Sequence, residues 1–230
     1  MRGRYLHLLF DADNTLFDFD ASEEEAITGT MVRFGVEPSP EHKALYHTIN
    51  GELWTLFDNG GITQEELATE RFARLLARLG LEGDAGAWNR AYRASLGSLS
   101  ILLPGAEELC RRLSGQYTLS LITNGLSDVQ RGRLGRSPIQ GYFGQRVFIS
   151  DEMGCRKPEP VYFDKVLDRL DCRGQRDRVL VIGDSLTSDI RGAVDSGLDC
   201  VWLNRAGKES PSLRPTYEVR DFSQVEALLL

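Results

Sequence analysis

Tyr5-Leu6-His7-Leu8-Leu9-Phe10, closed by Asp11-Ala12-Asp13-Asn14, decides how this chain is read. A short β-favouring, largely apolar run that stops abruptly at acidic residues reads as a buried strand with carboxylates at its C-terminal end. Beyond it, from Phe17 to Ser98, the pattern turns helical throughout. Ser22 with Glu25 forms a capping box for a helix running to about Phe34. Pro38 and Pro40 interrupt the chain before a second helix ending near Phe57, and Gly60-Gly61 punctuates again. Thr63 with Glu66 forms another capping box, followed by Ala68, Phe72, Leu75, Leu76 and Leu79 at helical spacing. Trp88, Ala91, Tyr92, Ser95, Leu96 and Leu99 then share one face of a fourth helix.

Strands resume after Pro104-Gly105. Tyr117 to Ile122, Val147 to Ile149, Val179 to Ile182, Cys200 to Leu203 and Tyr217 to Val219 read as strands. Helical segments separate most of them, near Ala106 to Leu113, Val161 to Leu170 and Ser188 to Ser196, and a short helix closes the chain. The segment from Arg205 to Pro215, punctuated by Gly207, Ser210, Pro211 and Ser212, reads as a loop. Alternation of this kind implies a parallel sheet with helices on both faces. The expected fold is therefore α/β: a Rossmann-like core from residues 1–16 and 99–230, with a helical domain, 17–98, inserted after the first strand.

The whole-chain figures exclude several classes. The 230 residues carry 41% hydrophobic and 27% charged side chains, a globular profile with enough chain for a buried core. A formal charge of −7 argues against nucleic acid as a partner, which calls for a basic face. No apolar run reaches the roughly 20 residues that span a bilayer. The N-terminal stretch runs into Asp11 and Asp13 without a small-residue cleavage site and does not read as a signal peptide. Cys110, Cys155, Cys172 and Cys200 form no Cys-x-x-Cys pattern, and His7, His42 and His47 form no ligand pattern. A reducing cytoplasm is the expected location, with the protein a monomer or homodimer.

Polar residues gather where three apolar strands end: Asp11 and Asp13, Thr123 and Asn124, Asp184 and Asp189. In parallel α/β sheets ligands bind at the C-terminal ends of the strands. Carboxylates converging there repel one another without a cation, and an oxygen-only donor set selects a hard ion, Mg²⁺ above others. A hydroxyl, a lysine and backbone N–H groups beside that ion suit a phosphate.

Four motifs then carry a resemblance. Asp11-Ala12-Asp13-Asn14-Thr15-Leu16, Ile122-Thr123-Asn124-Gly125, Arg156-Lys157-Pro158 and Gly183-Asp184-Ser185-Leu186-Thr187-Ser188-Asp189 resemble, in order, the four motifs of the haloacid dehalogenase superfamily of phosphohydrolases. The resemblance implies Asp11 as nucleophile forming an aspartyl-phosphate, and Asp13 as general acid and base. It implies Thr123 and the Asn124-Gly125 backbone as a cradle for the phosphoryl oxygens, and Lys157 as the countercharge. Asp184 would ligate Mg²⁺ with Asp11 and the carbonyl of Asp13, and Asp189 would act through a water. Lys157 is one of only four lysines against 23 arginines. The second aspartate, Asp13, favours a phosphate ester over a halide, which needs no acid.

The insert resembles the superfamily's helical cap, a lid over the cleft. Within it and at its edge, Phe17-Asp18-Phe19, Leu53-Trp54, Asn59-Gly60-Gly61-Ile62-Thr63 and Arg71-Phe72 resemble the subgroup acting on pyrimidine nucleoside 5′-monophosphates. Phe17, Trp54 and Phe57 would offer a stacking surface for a base, and Asp18, Asn59 or Arg71 would hydrogen-bond its edge or the sugar. Packing competes with substrate contact at each of these cap positions, since Trp54 and Phe57 lie three apart on a helix. Sugar-phosphate or phosphoglycolate phosphatase and phosphomutase stay open as alternatives, as does a non-catalytic binding module on the same fold.

Overall fold

A computed structural model of the chain describes residues 3–210 and 212–230, and the Asp58 side chain is not described. Met1 and Arg2 of the expected core, and Pro211 of the expected loop, lie outside the described residues. The chain forms two compact units, one built from the chain up to Phe19 with Ser100–Leu230, the other from Asp20–Leu99.

Six strands make the sheet of the first unit: β1 His7–Asp11, β2 Thr118–Thr123, β3 Val147–Ile149, β4 Val179–Gly183, β5 Asp199–Leu203 and β6 Tyr217–Val219. They are all parallel, in the order β3-β2-β1-β4-β5-β6. The parallel Rossmann-like sheet expected of the sequence is present, and its order puts the topological switch point between β1 and β4. Phe10 pairs with Leu121 on one side and Ile182 on the other, so β1, β2 and β4 end at one edge.

The helices in chain order are α1 Phe19–Arg33, α2 Pro40–Asp58, α3 Gln64–Leu79, α4 Ala85–Ser98, α5 Ala106–Leu113, α6 Ser127–Gly135, α7 Gln140–Phe143, α8 Ser150–Met153, α9 Pro160–Arg169, α10 Arg191–Asp195 and α11 Phe222–Leu229. The two-residue period of the strands divides the core between the faces of the sheet. Leu8, Phe10, Leu119, Leu121, Leu180, Ile182, Val201 and Leu203 pack with α5, α7 and α11. Leu9, Ile122, Val179, Val181, Cys200 and Trp202 point the other way, against α9 and α10. Both faces are covered, which is why these strands are apolar without alternation.

Two local expectations are corrected. Helix α1 starts at Phe19, not at a Ser22–Glu25 capping box, because the Asn14 side chain already accepts the Phe19 N–H at 3.1 Å and Ser22 is buried inside the helix. The segment expected as a helix from Ser188 opens instead as a wide π-helical turn, Leu186–Ile190, before α10. The Thr63–Glu66 capping box of α3 is present in full.

The Asp20–Leu99 unit buries an aromatic cluster in which Phe72 lies 5.5 Å from Tyr92 and 6.0 Å from both Tyr46 and Trp88. A polar network threads it. Glu23 accepts from Asn50 at 2.7 Å, Tyr46 at 3.2 Å and Tyr92 at 3.3 Å, and Asn50 in turn accepts from Arg71 at 3.1 Å. His47 reaches Glu23 and Glu24 at 3.2 and 3.0 Å. Its hydrogen bond to Glu23, only partly opposed by burial, pushes the imidazole up to about 9. A histidine so raised stabilises the fold fully below its ordinary value near 6.5, and the contribution fades as pH rises through about 9. Solvent screening at this half-exposed pair limits the effect to about 0.2–1 kcal/mol. Thermal midpoints of the wild type and His47→Gln between pH 6 and pH 10 are expected to converge at the alkaline end; a constant gap excludes the linkage.

Candidate active site

Three strand ends place the functional side chains. Asp11 is the last residue of β1, Thr123 the last of β2, and Asp184 follows Gly183 at the end of β4. The loop after β1 is held tightly. Leu16 and Phe17 both donate to the Ala12 carbonyl, at 3.0 and 2.9 Å, and Asn14 takes a left-handed φ of 58° that asparagine tolerates better than most residues.

Asp189 sits in the π-helical turn and folds back toward the sheet. Its Oδ2 accepts the Ser185 N–H at 3.1 Å, and its Oδ1 accepts from the Lys157 ammonium at 2.7 Å. A Cβ on Gly183 would lie 2.3 Å from this carboxylate, so glycine at that position is what lets Asp189 lie across the strand end. The Trp202 indole N–H donates to the Asp184 carbonyl at 2.9 Å, tying the same corner from β5.

Lys157 comes from the loop before α9, and its peptide bond to Pro158 is cis. Asn124 fixes its backbone from both sides, accepting the Lys157 N–H at 2.9 Å and donating to its carbonyl at 2.8 Å. The ammonium, 2% exposed, donates to Asp11 Oδ1 at 2.6 Å, to Asp189 and to the Ile122 carbonyl. Burial alone would lower this lysine, yet Asp11 and Asp189 together hold it above its ordinary value. Burial, then the neighbouring Asp189, raises Asp11 well above the carboxylate range against the pull of Lys157. The same two causes push Asp184 up to about 7.

Asp11, Asp184 and Asp189 each offer a carboxylate oxygen, and these atoms all lie within 4.8 Å of one another. Carboxylates this close repel one another and are relieved by a cation, and an all-oxygen set fits a hard divalent ion. Asp13 stands apart from this triad. Its Oδ2 accepts from Gln130 at 2.7 Å and its Oδ1 from the Arg133 guanidinium, both side chains of α6. Thr123 is buried, and its hydroxyl accepts the Gly125 N–H at 3.1 Å.

The remaining candidates are dispersed. Phe17 is fully buried in the apolar cluster of the sheet's α5 face, with the Arg133 guanidinium 4.7 Å over its ring. The Asp18 N–H donates to the Ile101 carbonyl at 2.9 Å where the chain leaves the first unit. In the helical unit, Trp54 is half-buried and lies edge-on to Phe57 at 5.5 Å, and Asn59 caps the C-terminus of α2, donating to the Thr55 carbonyl. Arg71 is buried, bonded to Asn50 and Asn89 and 4.7 Å over the Tyr92 ring. Sequence reasoning missed Gln130 and Arg133, because α6 itself was not expected. The available signal was Val129-Gln130 and Arg133-Leu134, two inward pairs at helical spacing.

A parallel α/β sheet with carboxylates and a buried lysine gathered at its switch point defines a hydrolase of established type. The chain belongs to the haloacid dehalogenase-like hydrolase family, whose model matches residues 5–197. It is 37% identical to the HAD-hydrolase YfnB of Bacillus subtilis (strain 168), over 98% of this chain and 96% of that protein. A crystal structure of YfnB bound to magnesium, described as revealing interdomain movement, matches with a TM-score of 0.93 and covers 98% of this chain and 99% of that one. The chain is also 35% identical to two pyrimidine 5′-nucleotidases. PynA of Streptococcus pneumoniae (strain ATCC BAA-255 / R6) is matched over 96% of this chain and 93% of the relative. YjjG of Escherichia coli (strain K12) is matched over 96% of both. Among the described residues no helix is long and apolar enough to cross a membrane.

Proposed function

We propose that this protein is a Mg²⁺-dependent phosphomonoester hydrolase acting on pyrimidine nucleoside 5′-monophosphates such as dUMP, dTMP and UMP. The observation that carries the reading is the buried Lys157 ammonium shared between Asp11 and Asp189, beside Asp184 and Thr123 at the switch point. The names of PynA and YjjG support the nucleotide.

In this reading Asp11 attacks phosphorus in line. A bond forms between its carboxylate oxygen and phosphorus as the ester P–O bond breaks, and Asp13 gives the departing alkoxide its proton. Asp13 then removes a proton from water. That water attacks phosphorus, the bond to Asp11 breaks and inorganic phosphate leaves. Lys157 lowers the repulsion between Asp11 and the incoming anion, while the Thr123 hydroxyl, oriented by the Gly125 N–H, and the Asn124 N–H would meet the equatorial oxygens. Asp11, Asp184 and Asp189 would hold the ion, which would supply positive charge to offset the negative charge of the phosphoryl group. Four free thiols suit a reducing cytoplasm.

Phosphate release from dUMP, dTMP, UMP, sugar phosphates and phosphoglycolate, with Mg²⁺ and with EDTA, tests this. A kcat/KM for a pyrimidine nucleotide roughly tenfold or more above the sugar phosphates is expected, abolished by EDTA and restored by Mg²⁺. A preference for sugar phosphates would overturn the specificity, and metal-independent turnover would overturn the mechanism.

A further inference from the structure

The carboxylate of Asp13 is held by two donors that no motif of the sequence announces. Gln130 and Arg133, 2% and 0% exposed, approach it from α6, one to each oxygen. Each carboxylate oxygen has two lone-pair sites. One on each oxygen is taken, which fixes the plane of the group and leaves a site on each for a proton.

Several features of the fold exist to keep these donors in place. The Arg133 guanidinium lies 4.7 Å from the centre of the Phe17 ring and 5.9 Å from that of Phe19, on the segment that follows Asp13. A Cβ on Gly125 would lie 2.2 Å from Gln130 Nε2, so the turn after Thr123 must be glycine for Gln130 to reach Asp13. Arg133 Nε and Nη2 and Gln130 Oε1 are buried with no hydrogen-bond partner among the described residues.

We propose that Arg133, assisted by Gln130, is a positioning residue that holds the Asp13 carboxylate in the orientation required for proton transfer to the leaving oxygen. The proposal rests on the reading of Asp13 as general acid and base. Its effect is confined to esters whose leaving group needs a proton, which separates it from a purely structural role.

The test compares single-turnover rates of leaving-group release with Mg²⁺ present, for the preferred aliphatic ester of the panel and for p-nitrophenyl phosphate, whose leaving group needs no proton. Arg133→Met is expected to slow the aliphatic ester about 10²-fold and p-nitrophenyl phosphate less than about threefold, with KM nearly unchanged. Arg133→Lys recovers part of the loss, and Gln130→Leu shows the same pattern more weakly. If Arg133→Met does not fold, Gln130→Leu and Arg133→Lys carry the comparison. Combined with Asp13→Asn, each substitution is expected to add nothing. Equal losses on both esters, or losses that add to those of Asp13→Asn, would overturn the positioning role. If Asp13→Asn alone slows both esters equally, the acid–base reading of Asp13 fails and the proposal falls with it.

Discussion

Asp11→Asn is expected to lower phosphate release by on the order of 10⁴- to 10⁶-fold, the loss typical of removing a nucleophile. The carboxamide keeps the shape of the side chain and can still accept the Lys157 hydrogen bond, but it cannot form the acyl-phosphate bond. The fold should not suffer. Asp11 is one of three carboxylates within 4.8 Å of one another, and burial with the charge of Asp189 already disfavours its ionised form. Removing that charge relieves repulsion, so the thermal midpoint in EDTA is expected to hold or rise. Acid-quenched wild-type enzyme given phosphate-labelled substrate should carry label that Asp11→Asn does not. Wild-type turnover in Asp11→Asn, or label retained by it, would remove the covalent mechanism.

The residues that open and close this chemistry were legible for a simple reason. An apolar run that ends on an acid has one cheap arrangement, a buried strand with the acid at the sheet edge. Asp11 and Asp184 obey it, and Thr123 closes β2 in the same way with a hydroxyl. Lys157 was legible as part of a motif, but its simultaneous contact with Asp11 and Asp189 was not. That contact depends on Asn124 gripping the Lys157 backbone across 33 residues of chain, and no local period records such a bond. Asp189 was placed near an ordinary helix start, whereas the wide turn that carries it brings the carboxylate back against Gly183.

Helix α6 escaped notice because its inward face carries Gln130 and Arg133 where an amphipathic helix would carry aliphatic side chains, and Gly132 and Gly135 dilute the rest. The break in the hydrophobic pattern is itself informative: local rules fail where a function other than packing sets the residue. Phe17 shows the converse. Its place beside the first motif suggested a surface for a base, but the ring is buried and its companion is Arg133. Arg71 and Glu23 likewise belong to a network closed within the helical unit, which a hydrophobic-period reading could not distinguish from a polar face turned to solvent.

Lys157→Met should be the most destabilising single change at the site. It leaves Asp11 and Asp189, both buried, without the ammonium that lies 2.6 and 2.7 Å from them. Breaking a buried pair from one side costs about 3–5 kcal/mol, or about 6–20 °C in thermal midpoint for a chain of this size. The penalty should be largest in EDTA. A divalent ion bound by Asp11, Asp184 and Asp189 supplies positive charge to the same carboxylates, so Mg²⁺ is expected to recover part of the lost midpoint. Activity should not follow, because the countercharge that meets the incoming phosphate is gone; a loss of about 10²- to 10³-fold is expected with Mg²⁺ saturating. Lys157→Arg is expected to retain more stability than Lys157→Met and still lose activity. A planar guanidinium is too large for a 2% exposed slot between two carboxylates, and it must displace one of them. Scanning the midpoints of the three proteins with and without Mg²⁺ separates the two roles of the lysine. A Lys157→Met variant as stable in EDTA as the wild type would show that the aspartates do not need its charge, and the electrostatic account of the site would fail with it.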